Sequence, residues 1–239
     1  SGADLLALIN EILDLSKIES GTMGVEIGEV YFSELQDDIE RTFSQIAEDK
    51  GIQFMVEADA GLPERMQTDV KRLRQVLKNL LSNAFKFTNQ GQVEMRIGAA
   101  EGGWSYDNDN LNRASKVISF IVSDTGIGIP EDKQQLIFEA FQQADGSTKR
   151  KYGGTGLGLS ISRQLARLLS GDVTLESEVN KGSIFTLTIP LFKPTGEPAA
   201  APSISEPVAV VEENTELPGP ALLAKDIPAS LPDDRDNIG

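Results

Sequence analysis

The chain has 239 residues, with 22 Lys and Arg against 37 Asp and Glu, a formal net charge of -15, and neither cysteine nor histidine. The first absence removes disulfides, thiol nucleophiles and thiolate-held metals and leaves the redox compartment open, and the second removes every histidine-based triad, imidazole base and histidine-held zinc. The net charge also argues against nucleic acid as a partner, because a polyanion is bound by Lys and Arg that neutralise its phosphates.

Over residues 3–19, Leu5, Leu8, Ile12 and Leu15 recur at three- and four-residue spacing, and Leu6, Ile9 and Leu13 widen the stripe. This predicts a helix that needs helical partners and continues one beginning before Ser1. Gly21 and Gly24 break it, and alternation over residues 25–30 predicts a strand. Ser33 is the expected N-cap of a helix to Lys50, stopped by Gly51, and residues 52–58 read as the next strand. Thr68 or Asp69 opens a strong helix to Phe87, followed by a strand over residues 92–97. Residues 99–115, polar and rich in Gly, Asn and Asp, are expected to connect two strands, with Trp104 and Tyr106 as local packing residues. Asp107, Asn108, Asp109 and Asn110 miss calcium-loop spacing, because Leu111 falls where an oxygen ligand is required.

Residues 116–124 form an apolar strand ending in a carboxylate. A short helix is expected over 131–137, a polar loop over 139–154, a helix over 158–169, and strands over 172–178 and 183–191. There is no internal repeat. Strands and helices mix without regular alternation, so the expected fold class is α+β, a two-layer sandwich of a mixed sheet packed on helices. No stretch approaches the length of a membrane span and no signal core is present, so a soluble chain is expected. From residue 194 to 239 there are 8 of the 11 prolines, nine Asp and Glu, two Lys and Arg, and no aromatic residue, the composition of an acidic Pro-rich linker or disordered tail. The expected organisation is therefore an accessory helix over 1–22, one main domain over 23–193 and a tail over 194–239.

Three patterns carry chemistry. On the helix ending at Phe87, Val70, Leu73, Leu77, Leu80 and Ala84 gather on one side, and Asn79, Asn83 and Lys86 gather on the other. Two amides and an ammonium suit a hydrated Mg2+ and phosphate oxygens; a plain solvated helix face is the alternative. Asp124 shares a strand face with Ile118, Phe120 and Val122, so its carboxylate sits at the edge of apolar packing and needs a donor. A ligand amine in an apolar slot would supply one, with Gly126 and Gly128 letting backbone approach; an Asp bonding the amides of its own turn is the alternative. Gly153, Gly154, Thr155, Gly156, Leu157 and Gly158 lead into a helix, where free N–H groups and a positive dipole end favour an anion such as phosphate. A flexible loop is the alternative there, and the pattern is neither a Walker A loop nor the dinucleotide fingerprint. Between the last two patterns lie Phe138 and Phe141, then a polar loop with Lys149, Arg150 and Lys151, a segment able to close over a nucleotide or to stay solvated.

Taken in order, these segments resemble the ATP-binding catalytic domain of two-component sensor histidine kinases, in the superfamily that includes gyrase and heat-shock chaperone ATPases. Residues 77–88 (Leu-Lys-Asn-Leu-Leu-Ser-Asn-Ala-Phe-Lys-Phe-Thr) are similar to the family's N box, 124–129 to its G1 box, 138–141 to its F box and 154–159 to its G2 box. Residues 147–150 are similar to the ATP lid and 182–185 to the closing strand motif. Residues 5–21 resemble the end of the second dimerisation helix.

The resemblance implies Mg2+ held by Asn83, with Asn79 and Lys86 near the phosphates, Phe87 lining the adenine pocket beside Phe138, and Asp124 accepting from the adenine amine. It implies Arg150 and the backbone around Gly154, Thr155, Gly156, Leu157 and Gly158 on the β- and γ-phosphates, and hence Asn79, Lys86 and Arg150 as the catalytic set. The family phosphorylates a histidine on the first dimerisation helix, so the resemblance implies a fragment whose acceptor lies outside it. The implied partners are ATP, a phosphoacceptor helical hairpin in a homodimeric parent, and a response regulator or the receiver domain of a hybrid kinase. The implied location is cytoplasmic, in a parent that can be membrane-anchored. A nucleotide-binding switch or scaffold without phosphotransfer is the alternative. An ATP-hydrolysing machine is disfavoured, because Asn79 stands where the gyrase and chaperone relatives place a Glu.

Overall fold

The computed structural model describes residues 2–140 and 156–192. Phe141, Lys149, Arg150, Lys151, Gly153, Gly154, Thr155 and residues 194–239, all singled out from the sequence, lie outside the described residues. The described elements run α1 (Gly2–Glu19), β1 (Gly28–Tyr31), α2 (Phe32–Lys50), β2 (Gln53–Ala58), β3 (Arg65–Thr68), α3 (Val70–Phe87), β4 (Gln92–Ala100), α4 (Asp109–Asn112), β5 (Val117–Asp124), two 3-10 turns (Glu131–Lys133 and Leu136–Phe138), α5 (Gly158–Leu168), β6 (Asp172–Glu178) and β7 (Gly182–Pro190).

The main sheet has the order β2-β4-β5-β7-β6, with β2 parallel to β4 and every other pair antiparallel. Alternation along its strands turns Val93, Met95 and Ile97 of β4, Ile118, Phe120 and Val122 of β5, and Phe185, Leu187 and Ile189 of β7 into the core. Helix α3 supplies the other wall with Leu73, Val76, Leu77, Leu80, Leu81, Ala84 and Phe85, all buried. This is the mixed-sheet, two-layer α+β sandwich that the sequence predicts. At the β2 end, Phe85 stacks on Phe43 of α2 at 5.5 Å between ring centroids and meets Phe54 of β2 edge-on at 5.2 Å, geometries that add to plain area burial.

Local chemistry accounts for the helix ends. Asp69 accepts from the Arg72 amide at 3.0 Å as N-cap of α3, and its second oxygen accepts from the Glu26 amide at 3.0 Å. That tie is why the strand expected from residue 25 begins only at Gly28. Gly51 ends α2 at φ 65°, a conformation that favours glycine. Its last residue, Lys50, sends its ammonium to the carbonyl of Phe85 and, at 3.3 Å, to that of Thr88, a cation on the negative end of α3.

Four other expectations are corrected. Ser33 is not a cap: α2 starts two residues earlier, with Tyr31 in the cap position, because Phe32 is buried and tilts against Phe120 at 6.4 Å. Residues 131–137 form two 3-10 turns rather than one helix, since too few residues remain for a cooperative α-helical segment. The 99–115 connection holds the end of β4 and the short helix α4, pinned by buried Leu111, and Tyr106 is 96% exposed instead of packed. Strand β3, which the sequence analysis leaves without an element, pairs antiparallel with β1 and passes the Gln67 amide to the Leu191 carbonyl.

Helix α3 is the packing centre, so Leu80→Ala should lower stability by about 2 to 5 kcal/mol. Asp69→Ala, which removes one cap and one long-range tie, should cost about 1 to 2 kcal/mol. Urea midpoints at constant m-value check both.

Candidate nucleotide site

The site is built where three elements end. Strand β5 ends at Asp124, α3 ends at Phe87, and α5 begins at Gly158. The first two meet because Asp124 pairs with Val93 of β4 on one side and Ser183 of β7 on the other, which sets its side chain under the C-terminus of α3.

Asp124 is only 9% exposed, and one of its oxygens accepts from the Gly126 amide at 2.8 Å. The turn-forming role open from sequence is therefore real for that oxygen, and it leaves acceptor capacity on the other. Burial raises the carboxyl above the ordinary carboxylate range, while the Gly126 and Ser183 amides and the Thr88 hydroxyl oppose the rise by favouring the charged form. Glycine is required on both sides of this turn. A Cβ at Gly126 would stand 2.5 Å from the Phe87 carbonyl oxygen and 2.7 Å from Asp124 Oδ1, and one at Gly128, where φ is +66°, would stand 2.0 Å from the Glu178 carbonyl oxygen.

Across the site, Asn79 Nδ2 donates to Ser162 Oγ of α5 at 2.8 Å, and a Cβ at Gly158 would stand 2.4 Å from Asn79 Oδ1. Asn79 thus clamps α3 to the start of α5, where Gly156 adopts φ 74° and Leu157 is fully buried. Asn83 and Lys86, one and two turns on, are partly buried. The stripe is thus not a plain solvated face: Asn79 packs on α5, and Asn83 and Lys86 are half-buried. Burial pushes the Lys86 ammonium below the ordinary lysine value, a direction that a nearby anion would reverse, and its Nζ lies 5.1 Å from the centroid of the Phe87 ring. Phe138 meets Phe185 edge-on at 6.4 Å, and the Arg163 guanidinium lies over it at 4.9 Å.

The structure thus brings Phe87, Asp124 and Gly126 together where α3 and β5 end, with Gly128 against Glu178 at the end of β6, Lys86 and Asn83 in the last turns of α3, Asn79 on the α5 start at Gly156, Leu157 and Gly158, and Phe138 against β7. Sequence reasoning missed Ser162, Arg163 and Thr88. Ser162 had a usable signal, since it lies four residues after Gly158 on the helix that any site here must use; Thr88 closes the N-box-like segment but was not singled out within it.

The sign of the Asp124 shift makes a stability test. A carboxyl raised on folding contributes stability below its unfolded value and loses it as pH rises through the folded value, so at neutral pH the buried charge is a cost. Asp124→Asn should therefore melt at the same or a higher temperature than the parent at neutral pH. That advantage should shrink on acidification toward the ordinary carboxylate value, as differential scanning calorimetry would record.

Residues 68–193 match the family model described as histidine kinase-, DNA gyrase B- and HSP90-like ATPase. Two relatives are 38% identical: the autoinducer 2 sensor kinase/phosphatase LuxQ of Vibrio vulnificus, over 90% of this chain and 25% of its own length, and the aerobic respiration control sensor protein ArcB of Escherichia coli, over 93% and 26%. The chain spans about a quarter of the length of these relatives. Among solved structures, full-length ShkA in complex with AMPPNP aligns with a TM-score of 0.66 at 30% identity, covering 81% of this chain and 37% of that one. The matched segment contains α3, the Asp124 turn and the start of α5, so the chain belongs to the histidine kinase-, DNA gyrase B- and HSP90-like ATPase family and carries the ATP-binding catalytic domain of the histidine kinase type.

Proposed function

We propose that the chain binds Mg-ATP at the junction of α3, β5 and α5 and passes the γ-phosphate to a histidine on a separate helical segment. The observation that carries this reading is Asp124, a buried carboxylate whose one oxygen accepts from the Gly126 amide, opposite the start of α5, where no side chain caps the first amides. LuxQ is named a sensor kinase/phosphatase and the ShkA structure is a complex with AMPPNP, an ATP analogue, which supports the same reading.

In this assignment Asp124 accepts from the exocyclic amine of adenine, Phe87 and Phe138 border the base, and Gly126 and Gly128 keep the turn low enough for it to enter. The amides at Gly156, Leu157 and Gly158, with those of Gly154 and Thr155 before them, meet the phosphates at the N-terminus of α5. Lys86 and Arg150 add positive charge there, and Asn79 holds the two helices at a fixed separation. The donor set fits Mg2+ only as a hydrated ion on the nucleotide, because among the described residues no group of three Asp, Glu, His or Cys exists to hold a metal, while Asn83 offers a neutral amide oxygen. Bound there, Mg2+ would neutralise charge on the phosphate oxygens.

Transfer breaks the bond between the γ-phosphorus and its bridging oxygen, forms a bond from that phosphorus to an imidazole nitrogen, and releases ADP. Because the chain contains no histidine, the imidazole comes from another segment. The domain's contribution is positioning and charge stabilisation, with the acceptor about 3 to 3.5 Å from the phosphorus. The reading assigns α1 to the end of a dimerisation helix, residues 23–193 to the catalytic domain and 194–239 to an acidic linker, in a homodimeric cytoplasmic or membrane-anchored kinase that hands phosphate to a response regulator or receiver domain. No helix among the described residues is long and apolar enough to cross a membrane.

Asp124→Asn presents an amide where an acceptor is needed and should cost about 1 to 3 kcal/mol of ATP affinity by calorimetry. With radiolabelled ATP, the chain alone should carry no phosphohistidine, and a separately supplied hairpin bearing the acceptor should become labelled in proportion to its concentration. Nucleotide binding with no label on the hairpin at any concentration would favour the switch or scaffold reading.

A further inference from the structure

Among the described residues, two buried side-chain atoms have no hydrogen-bond partner, Thr88 Oγ1 and Arg163 Nε, and the first stands at the base end of the site. Thr88 is fully buried. Its backbone is spoken for at both ends: the amide donates to the Ala84 carbonyl at 3.0 Å as C-cap of α3, and the carbonyl accepts from Lys50 at 3.3 Å. The hydroxyl is thus held in place by a backbone that cannot drift, yet it is left without a formed bond. A buried, unmet hydroxyl is costly, and a native structure keeps one where some other state satisfies it. The residue before it, Phe87, has its carbonyl against the Asp124 turn, where it accepts from the Ile127 amide at 3.4 Å, so the hydroxyl stands beside the Asp124 carboxylate and favours its charged form.

We propose that Thr88 is the positioning residue of base recognition: its hydroxyl closes on the Asp124 carboxylate when a 6-aminopurine is bound, fixing the carboxylate with its free lone pairs toward the ligand amine. The inference rests on the nucleotide reading of the site. Gly126 holds Asp124 Oδ1 from the turn side at 2.8 Å, Ser183 contributes its amide from β7, and Thr88, the C-cap residue of α3, is the side-chain donor. With Oδ1 tied to its own turn and further neutral donors beside it, the carboxylate is held in one orientation and remains an acceptor. The charged groups on the surrounding elements, Lys86 of α3, Lys50 of α2, Glu94 of β4, and Glu178 and Lys181 at the β6–β7 turn, are not among the groups that act on Asp124. Its ionisation is therefore governed by burial and by these donors, so removing one of them has a predictable direction.

Thr88→Val keeps the shape and removes the hydroxyl; Thr88→Ser restores it. The test is calorimetric titration of the full chain with Mg-ADP across the acid range, with Asp124→Asn alongside and thermal melts of every variant. Thr88→Val should weaken ADP binding about tenfold, and its affinity should fall away on acidification from a higher pH than in the parent, because losing a donor makes the carboxylate easier to protonate. Its melting temperature should not fall, since a valine leaves no unmet polar atom, and Thr88→Ser should recover most of the affinity. Thr88→Val binding ADP as the parent does, with the same acid limb, while Asp124→Asn binds weakly, would overturn the role of Thr88 and leave the nucleotide reading standing. Weakened binding that merely tracks a lower melting temperature, with the acid limb unmoved, would also overturn it as structural damage. Failure of the parent chain to bind ADP would overturn the nucleotide reading itself and this inference with it.

Discussion

One seating relation organises the molecule: α3 lies against the sheet with Leu73, Leu77, Leu80 and Leu81 fully buried, so its rotation about its own axis is fixed by the core. Fixing that rotation fixes everything on its other faces. Asn79 must then look at α5, where Ser162 receives it, and the helix must end with Phe87 and Thr88 over the last residue of β5. A helix that slid by one residue would rotate about 100° and carry Asn79 off Ser162 and Thr88 off Asp124 together. The apolar packing of α3 and the polar geometry of the site are one constraint viewed from two sides.

The polar side is built at a cost that the apolar side covers. Asp124 is a carboxylate in a setting that disfavours its charge, Lys86 is an ammonium in a setting that disfavours its own, and the Thr88 hydroxyl has no formed bond. Each is a local loss, and all three lie where the end of α3 meets the end of β5. Perturbed polar groups gathered at one place are a mark of functional sites.

The architecture was legible in the sequence wherever periodicity was strong. The heptad-like run through Leu73, Leu77, Leu80 and Ala84 specified α3, and an unbroken apolar stretch ending in a carboxylate specified β5 and placed Asp124 at its tip. Elements that owe their form to a distant partner were not legible. Strand β3 is four residues of mixed polarity that becomes a strand because β1 lies beside it, and Ser33 lost the cap position because Phe32 had a place in the core beside Phe120. At the candidate site, Asn79 and Asp124 could be singled out by pattern, whereas the Asn79–Ser162 clamp spans 83 residues and Thr88, though it closes the N-box-like segment, had no spacing to set its side chain apart. Single polar residues that act through one tertiary neighbour leave no periodic trace.

The β4–β5 connection lies at the far end of the sheet from Asp124, since Ala100 pairs with Val117 while Val93 pairs with Asp124. Eight residues of strand separate the two ends by roughly 23 Å. The single tryptophan of the chain, Trp104, sits in that connection with its indole N–H on Asn112 at 2.9 Å. The protein's tryptophan fluorescence is consequently an optical reporter of the remote end of the sheet and distant from Asp124. Following ligand entry by light requires a second fluorophore near the site, and Trp104 then serves as an internal reference whose signal should stay constant while the other changes.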